Sequence, residues 1–209
     1  MGKFQICQFT LCYLPVCGGQ EVYVDQLSEL ISKHTKSLVI QSYPRGINQK
    51  NLESLNEDVL FVKIPRGLNK INNIFPYLFF REKSKKFLNK FPKDTLNILH
   101  YASLFSKKQH DPQKTIIISH GKDWDNSITG KYRFKKLCDA YNAGCAIVCN
   151  DSEVANILSL HFKLGYEFDL VNKSHKKITF IPNTFNQKEF YFLNQENVFN
   201  NNYFLLARN

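Results

Sequence analysis

His120 is the first residue of this sequence whose type and position could do chemistry. It directly follows the apolar run Thr115–Ser119 and precedes Gly121. A histidine there can bond a hydroxyl group or a developing charge, and imidazole titrates near neutral pH. Asp123 and Trp124 follow in the same loop and can shape a substrate site. The alternative for His120 is a purely structural histidine at the end of a strand.

A glycine pair, Gly18 and Gly19, stands between an apolar run and an amphipathic segment. Glycine lets the backbone turn sharply and approach a ligand without interference from a Cβ atom. A helix that begins there points free N–H groups and its positive dipole end at the ligand. The pattern therefore predicts a phosphate-binding turn, with a simple tight turn as the alternative. It is neither a Walker loop nor the dinucleotide glycine motif.

Further polar residues follow other apolar runs. Asn150, Asp151 and Ser152 stand where a run ends and a helix opens. Ser152 or Asp151 can cap that helix, and Asn150 and Ser152 can also contact a ligand. Asn183 follows the last run. Asp123 and Asp125 form a D-x-D tripeptide, which can hold a divalent metal beside a diphosphate. Such tripeptides also arise by chance, and a metal is not the favoured interpretation.

Composition narrows the class of protein. The 209 residues fit one large α/β domain, and 43% hydrophobic content supplies a core. A net charge of +10 indicates an anionic partner: nucleic acid, a membrane surface or a phosphorylated substrate. Nucleic acid is disfavoured because no reader motif is present. Six cysteines without a C-x-x-C pair, and no apolar stretch long enough to span a bilayer, predict a reduced cytoplasmic protein.

The apolar runs alternate with helical segments and are continuous, as strands buried on both faces are. The predicted strands are Phe4–Thr10, Ser37–Tyr43, Val59–Ile64, Leu96–Tyr101, Thr115–Ser119, Ala146–Cys149 and Ile178–Ile181. The predicted helices are Gln20–His34, Ile71–Asn89, Tyr132–Ala143 and Glu153–Phe162. This alternation predicts an α/β fold with a Rossmann-like doubly wound parallel sheet. The polar groups after the strands should then converge on one edge.

The segment from Phe79 to Phe91 interleaves basic and aromatic residues. On a helix, its aromatic residues share one face with lysines around it. Such a helix can lie on an anionic membrane surface, at the inner face of the membrane. It can equally be a packed helix with a solvated basic rim.

Taken in order, these motifs resemble the N-terminal domain of family 4 glycosyltransferases of the GT-B fold. The series is Gly18-Gly19-x-Glu21, His100, Ser119-His120-Gly121, Asn150-Asp151-Ser152 and Ile181-Pro182-Asn183. Thr184 and Ala207 stand where the family usually has glycine. The resemblance implies that residues 1–193 form an acceptor-binding domain, that 194–202 are a linker, and that 203–209 open a second, donor-binding domain.

The resemblance also implies a reaction. A sugar passes from a nucleotide sugar to a glycan or lipid-linked acceptor, usually with retention, without a metal or other cofactor. Gly18 and Gly19 would face the donor phosphates, and His120, as the catalytic residue, would contact the transferred sugar or the reacting centre. The acceptor side would be shaped by Asp123, Trp124, Asn150, Ser152 and Asn183. The 209-residue chain alone is then expected to turn over little. The alternatives are a non-catalytic carbohydrate- or nucleotide-binding module and a peripheral membrane protein on the same fold.

Overall fold

The computed structural model describes residues 5–14, 18–42, 58–65, 74–121, 126–164 and 177–181. The strands are β1 Ile6–Phe9, β2 Ser37–Ser42, β3 Val59–Val62, β4 Leu96–Leu99, β5 Thr115–Ser119, β6 Ala146–Cys149 and β7 Ile178–Phe180. The helices are α1 Gly19–Ser32, α2 Phe75–Leu88, α3 Ile128–Ala143 and α4 Ser152–His161, with short 3₁₀ turns at Ala102–Leu104 and Pro112–Lys114.

The seven strands form one sheet in the order β3-β2-β1-β4-β5-β6-β7, and every neighbouring pair is parallel. Each strand lies within a run predicted to be a strand. The predicted α/β class with a Rossmann-like doubly wound parallel sheet is therefore confirmed. The strand order reverses at β1, and ligands of such sheets bind beyond the carboxyl ends of the strands near this point.

The helices cover the two faces of the sheet unequally. Val24 of α1 packs on Val39 of β2 in a small core cluster. The neighbouring Leu38 and Ile40 point to the other face, where they join the larger core with residues of α2, α3 and α4. We call these the α1 face and the three-helix face. Both consist of buried apolar side chains on parallel strands, as the continuous apolar runs predict.

Helix α3 begins earlier than the predicted start at Tyr132. The Ser127 side chain accepts a hydrogen bond from the Gly130 N–H at 3.0 Å, so Ser127 is the N-cap. Gly130 lies buried in the first turn rather than breaking the helix. The helix ends at Gly144, whose φ of 106° is the left-handed conformation that favours glycine.

The aromatic face of α2 packs into the protein. Phe80 is fully buried in the three-helix core, and Phe87 packs against that core. Lys83, Lys85 and Lys86 lie exposed on the outside. Of the two interpretations of this segment, the structure matches the packed helix with a basic rim. Among the described residues, no helix is both long enough and apolar enough to cross a bilayer.

The cysteines of the described chain are free thiols. Cys7, Cys138, Cys145 and Cys149 are buried, as predicted for reduced structural cysteines, whereas Cys12 is exposed. Burial raises the pKa of Cys7 to about 12, so this thiol stays protonated at neutral pH.

Candidate functional site

A diagonal row of polar side chains crosses the α1 face of the sheet. Gln8 of β1 is paired with Ile98, so His100, two residues further along β4, points to the same face. His100 is in register with Ile118, which places His120 a further step along on that face. Asn150 lies beside His120 because β5 and β6 pair Ser119 with Cys149. Strand register alone therefore brings these groups together at the carboxyl edge.

Hydrogen bonds join the side chains of this row, and the Ser28 hydroxyl at one end determines which group donates in each of them. The Ser28 hydroxyl of α1 donates to the Val24 carbonyl at 2.7 Å, so its oxygen must accept from Gln8 Nε2 at 2.8 Å. Gln8 Oε1 then faces His100 Nε2 at 3.0 Å and accepts its proton. His100 Nδ1 is left as an acceptor.

The same order continues to the sheet edge. His100 Nδ1 lies 3.1 Å from His120 Nε2, which donates, and Asn150 Nδ2 donates to His120 Nδ1 at 3.2 Å. The two imidazole rings are nearly coplanar, at 17° with centroids 5.3 Å apart, so this hydrogen bond lies along the line between them. Both histidines are thus neutral and carry their proton on Nε2.

Burial reinforces this neutral state. His100 is 1% exposed, and burial followed by repulsion from His120 holds its pKa well below the usual range. Burial lowers the pKa of His120 from 6.5 to about 4. The expectation that His120 titrates near neutral pH is wrong, because Tyr23, His100 and Asn150 largely enclose the imidazole. Both of its nitrogens are also engaged, so it has no free nitrogen for general acid–base work.

Asn150 closes the row with an unused acceptor. It is 8% exposed, and its Oδ1 has no hydrogen-bond partner in the part of the chain that the structure describes. A buried carbonyl without a partner is uncommon and costs free energy. A ligand hydroxyl can satisfy it, or can replace the Asn150 amide as donor to His120 Nδ1.

The first turns of α1 lie against this row. The Tyr23 ring meets the His120 ring edge-on, with centroids 5.2 Å apart. Gly18 is the N-cap, without a side-chain cap, and Gly19 begins the helix. The free N–H groups of this N-terminus therefore lie within about one and a half helical turns of Tyr23 and its histidine contact.

Neither glycine of this pair is needed for its backbone angles. Gly18 is extended, with φ −131° and ψ 171°, and Gly19 is helical. The predicted phosphate-binding turn stays a prediction, since residues 15–17 before it lie outside the described residues. Lack of space does not require glycine either, because a methyl group at Gly18 would meet only the movable end of the Glu21 side chain, and one at Gly19 would meet nothing within 4 Å. Gly19 leaves the end of the helix open to a ligand.

The loops after β5 and β6 meet beside the row. Asp151 is the N-cap of α4 and accepts from the Glu153 N–H at 2.7 Å, so Ser152 is the exposed first helical residue rather than the cap. Gly121 has φ 93°, and a Cβ atom there would lie 3.4 Å from Asp151 Oδ2. This glycine is required by its backbone conformation.

The structure brings together His120 and Asn150 and places Gly18 and Gly19 nearby on α1, whereas Ser152 faces solvent. Asp123, Trp124 and Asn183 lie outside the described residues. Sequence reasoning missed Gln8 and Ser28 as members of the row. A signal was present: a glutamine inside an apolar strand buried on both faces needs a partner.

No protein-family model matches this chain, and no curated protein matches it. The likeness to glycosyltransferases consequently rests on the sequence motifs alone.

Proposed function

We propose that this chain is the acceptor-side domain of a glycosyltransferase, which binds a nucleotide sugar at the carboxyl edge of its sheet in company with a donor-binding domain. The proposal is carried by the neutral His100–His120 pair. Because the hydrogen-bond order puts the proton of His120 on Nε2, the Nδ1 atom offers a lone pair toward the edge. A lone pair accepts from a sugar hydroxyl and repels a phosphate oxygen.

Phosphate is better accommodated at the start of α1. The N–H groups and the dipole of that end favour an anion, and Gly19 leaves room for close approach. The site thus separates a hydroxyl-binding end at His120 from an anion-binding end at Gly18 and Gly19. A sugar joined to a diphosphate has the same two ends. In the transfer, these N–H groups would stabilise the charge on the departing diphosphate.

This proposal assigns His120 a binding and orienting role rather than proton transfer. Gln8 and His100 set its tautomer, and Asn150 holds the Nδ1 lone pair until a sugar hydroxyl takes its place. Because no step requires a charged imidazole, sugar binding should stay constant from neutral pH down to the point where the fold itself fails.

We expect two substitutions in α1 to change the binding of uridine diphosphate in opposite directions. Gly19→Ala places a methyl group over the anion end and should weaken binding about tenfold, the equivalent of one lost hydrogen bond. It should also raise the free energy of unfolding by about 0.4–1 kcal/mol, because alanine restricts the unfolded chain. Glu21→Gln removes a carboxylate beside Gly18 and should strengthen binding about fivefold, from roughly 1 kcal/mol of repulsion.

Glu29→Gln is the matched control, since Glu29 lies exposed in the last turn of α1, paired with Lys33. Titration calorimetry and the backbone amide signals of Gly18 and Gly19 report the binding. A nucleotide sugar should additionally shift the His120 ring signals, which uridine diphosphate alone should leave in place. Equal binding by all three variants, or no binding by the wild type to uridine, guanosine or thymidine diphosphates, would remove this edge from the proposed function.

A second role, contact with an anionic membrane, is favoured by the outer surface of α2. Its exposed lysines include Lys83, whose ammonium lies 5.3 Å from the Phe79 ring centroid, and Lys86, 4.8 Å from that of Phe87. Because the aromatic face is packed in the core, this contact is electrostatic and does not insert apolar side chains.

We expect the protein to bind vesicles of phosphatidylserine and phosphatidylcholine, and to lose most of that binding when Lys83, Lys85 and Lys86 become glutamate. Each lysine near an anionic surface contributes about 1 kcal/mol. Co-sedimentation at low and high salt measures the effect. Lys135→Glu on α3 is the control for charge alone, and retention of binding by the triple variant would contradict the membrane role.

A further inference from the structure

Arg81 of α2 and Arg133 of α3 both lie along the seam between these two helices, on the three-helix face. Arg133 of α3 donates from Nη2 to the Tyr77 hydroxyl at 2.9 Å, and its guanidinium carbon lies 5.4 Å from the centroid of the Tyr77 ring. Arg81 stands one helical turn after Tyr77 on α2, so it is on the same side of that helix.

The position of Arg81 is fixed by its neighbours as well. Burial raises the pKa of Tyr132, and the Arg81 cation opposes that shift. Burial lowers the pKa of His110 to about 4, with Arg81 acting in the same direction. Tyr132 precedes Arg133 on α3, so both guanidinium groups lie along one seam.

Three polar atoms of this seam are buried without a partner. They are Arg81 Nε, Arg133 Nε and the Ser103 hydroxyl oxygen, none of which has a hydrogen-bond partner among the described residues. Ser103 lies in the 3₁₀ turn Ala102–Leu104, against which both α2 and α3 pack. Buried N–H and hydroxyl groups in proteins are normally paired, so unpaired groups on three elements that pack against one another indicate a missing partner.

The charge of the seam indicates that this partner is an anion. The one carboxylate paired with either arginine within the described ranges is that of Glu82, 3.4 Å from Arg81 Nη2 and 58% exposed. Such an exposed pair is weak. Arg133 is bonded to a neutral phenol instead. Two guanidinium groups with free Nε–H donors, beside a hydroxyl, match the oxygens of a phosphate.

We propose that Arg81, Arg133 and Ser103 form a phosphate-binding site, on the opposite face of the sheet from the start of α1. The seam reaches the carboxyl edge through two tyrosines: the Tyr77 and Tyr101 rings lie 5.0 Å apart, and Tyr101 lies beside Gln20 in the first turn of α1. If the chain is a glycosyltransferase domain, on which this reading of the ligand rests, the site holds a phosphate of the acceptor.

Arginine Nε–H signals in proton–nitrogen spectra test the site in the wild-type protein. Inorganic phosphate should shift two of them in a saturable way, and acetate should shift them less. Arg81→Lys and Arg133→Lys identify the two signals, since each retains its charge but lacks Nε–H. Each should weaken phosphate binding about tenfold, whereas Lys135→Gln, which removes an exposed charge from α3, should leave it unchanged.

Nε–H signals that stay in place through the titration, or equal loss of binding in Lys135→Gln, would overturn the site. Vesicles with and without phosphatidic acid separate the two sources of phosphate. A shift of the arginine signals by these vesicles indicates a lipid headgroup, and a shift by glucose 1-phosphate without response to vesicles indicates a soluble sugar phosphate. If phosphate shifts the arginine signals while nucleotides leave the Gly18 and Gly19 amide signals unchanged, the phosphate site is retained and the glycosyltransferase assignment is rejected.

Discussion

The free energy of unfolding is expected to fall steeply as the pH drops from 6.5 toward 5. Three buried histidines, His100, His110 and His120, have pKa values lowered by burial in the folded protein. Between the folded and the unfolded pKa, the unfolded chain binds more protons, so stability decreases as the pH falls. His110 and His120 each account for about 2 kcal/mol over this range, and His100 acts in the same direction.

A loss of this size is a large part of the about 5–15 kcal/mol that stabilises an ordinary domain. There is also a specific reason within the row: protonation of His100 Nδ1 would turn an acceptor into a donor that faces the His120 N–H. Denaturant titrations at several pH values measure the effect. His34→Gln, which changes an exposed histidine, should reproduce the wild-type profile, and constant stability between pH 7 and pH 5 would contradict the neutral histidine pair.

The sequence predicts the sheet because each strand is a short apolar run bounded by turn residues, and a parallel sheet buries both faces of such runs. The same pattern places His120 and Asn150 at the ends of adjacent strands. It does not reveal that His100 touches His120, because that contact depends on which strands are neighbours and on their register. Alternation along β4 and β5 tells which side chains share a face, but it identifies contacts between the strands only when their register is known.

The protonation state of His120 is also difficult to predict from the sequence, because it depends on residues that are distant along the chain. The polar residues next to His120 in the sequence predict an imidazole in contact with water, with an ordinary pKa. In the structure the ring lies between Tyr23, His100 and Asn150 instead. The covering group comes from α1, which is distant in sequence. Likewise, the Gly18–Gly19 pair correctly predicts where α1 begins, although neither backbone angles nor lack of space requires glycine there.

We expect His100→Leu to lower the free energy of unfolding by about 2–6 kcal/mol. Leucine fills a similar volume but leaves Gln8 Oε1 and the His120 Nε2–H without a partner. Gln8 is completely buried, and each unpaired buried group costs about 1–3 kcal/mol. Equilibrium unfolding in urea at neutral pH measures the loss, and His34→Leu is the matched exposed control.

The double variant Gln8→Leu, His100→Leu separates the hydrogen bonds from simple packing. Removing both partners of a buried hydrogen bond is far less costly than removing one, so the two changes should couple by about 1–3 kcal/mol in the favourable direction. Strictly additive losses would mean that His100 acts by shape alone. Because His100 also fixes the tautomer of His120, His100→Leu should weaken sugar binding. The Gly18 and Gly19 amides should still respond to uridine diphosphate. This one substitution would then separate the hydroxyl-binding end of the proposed site from its anion-binding end.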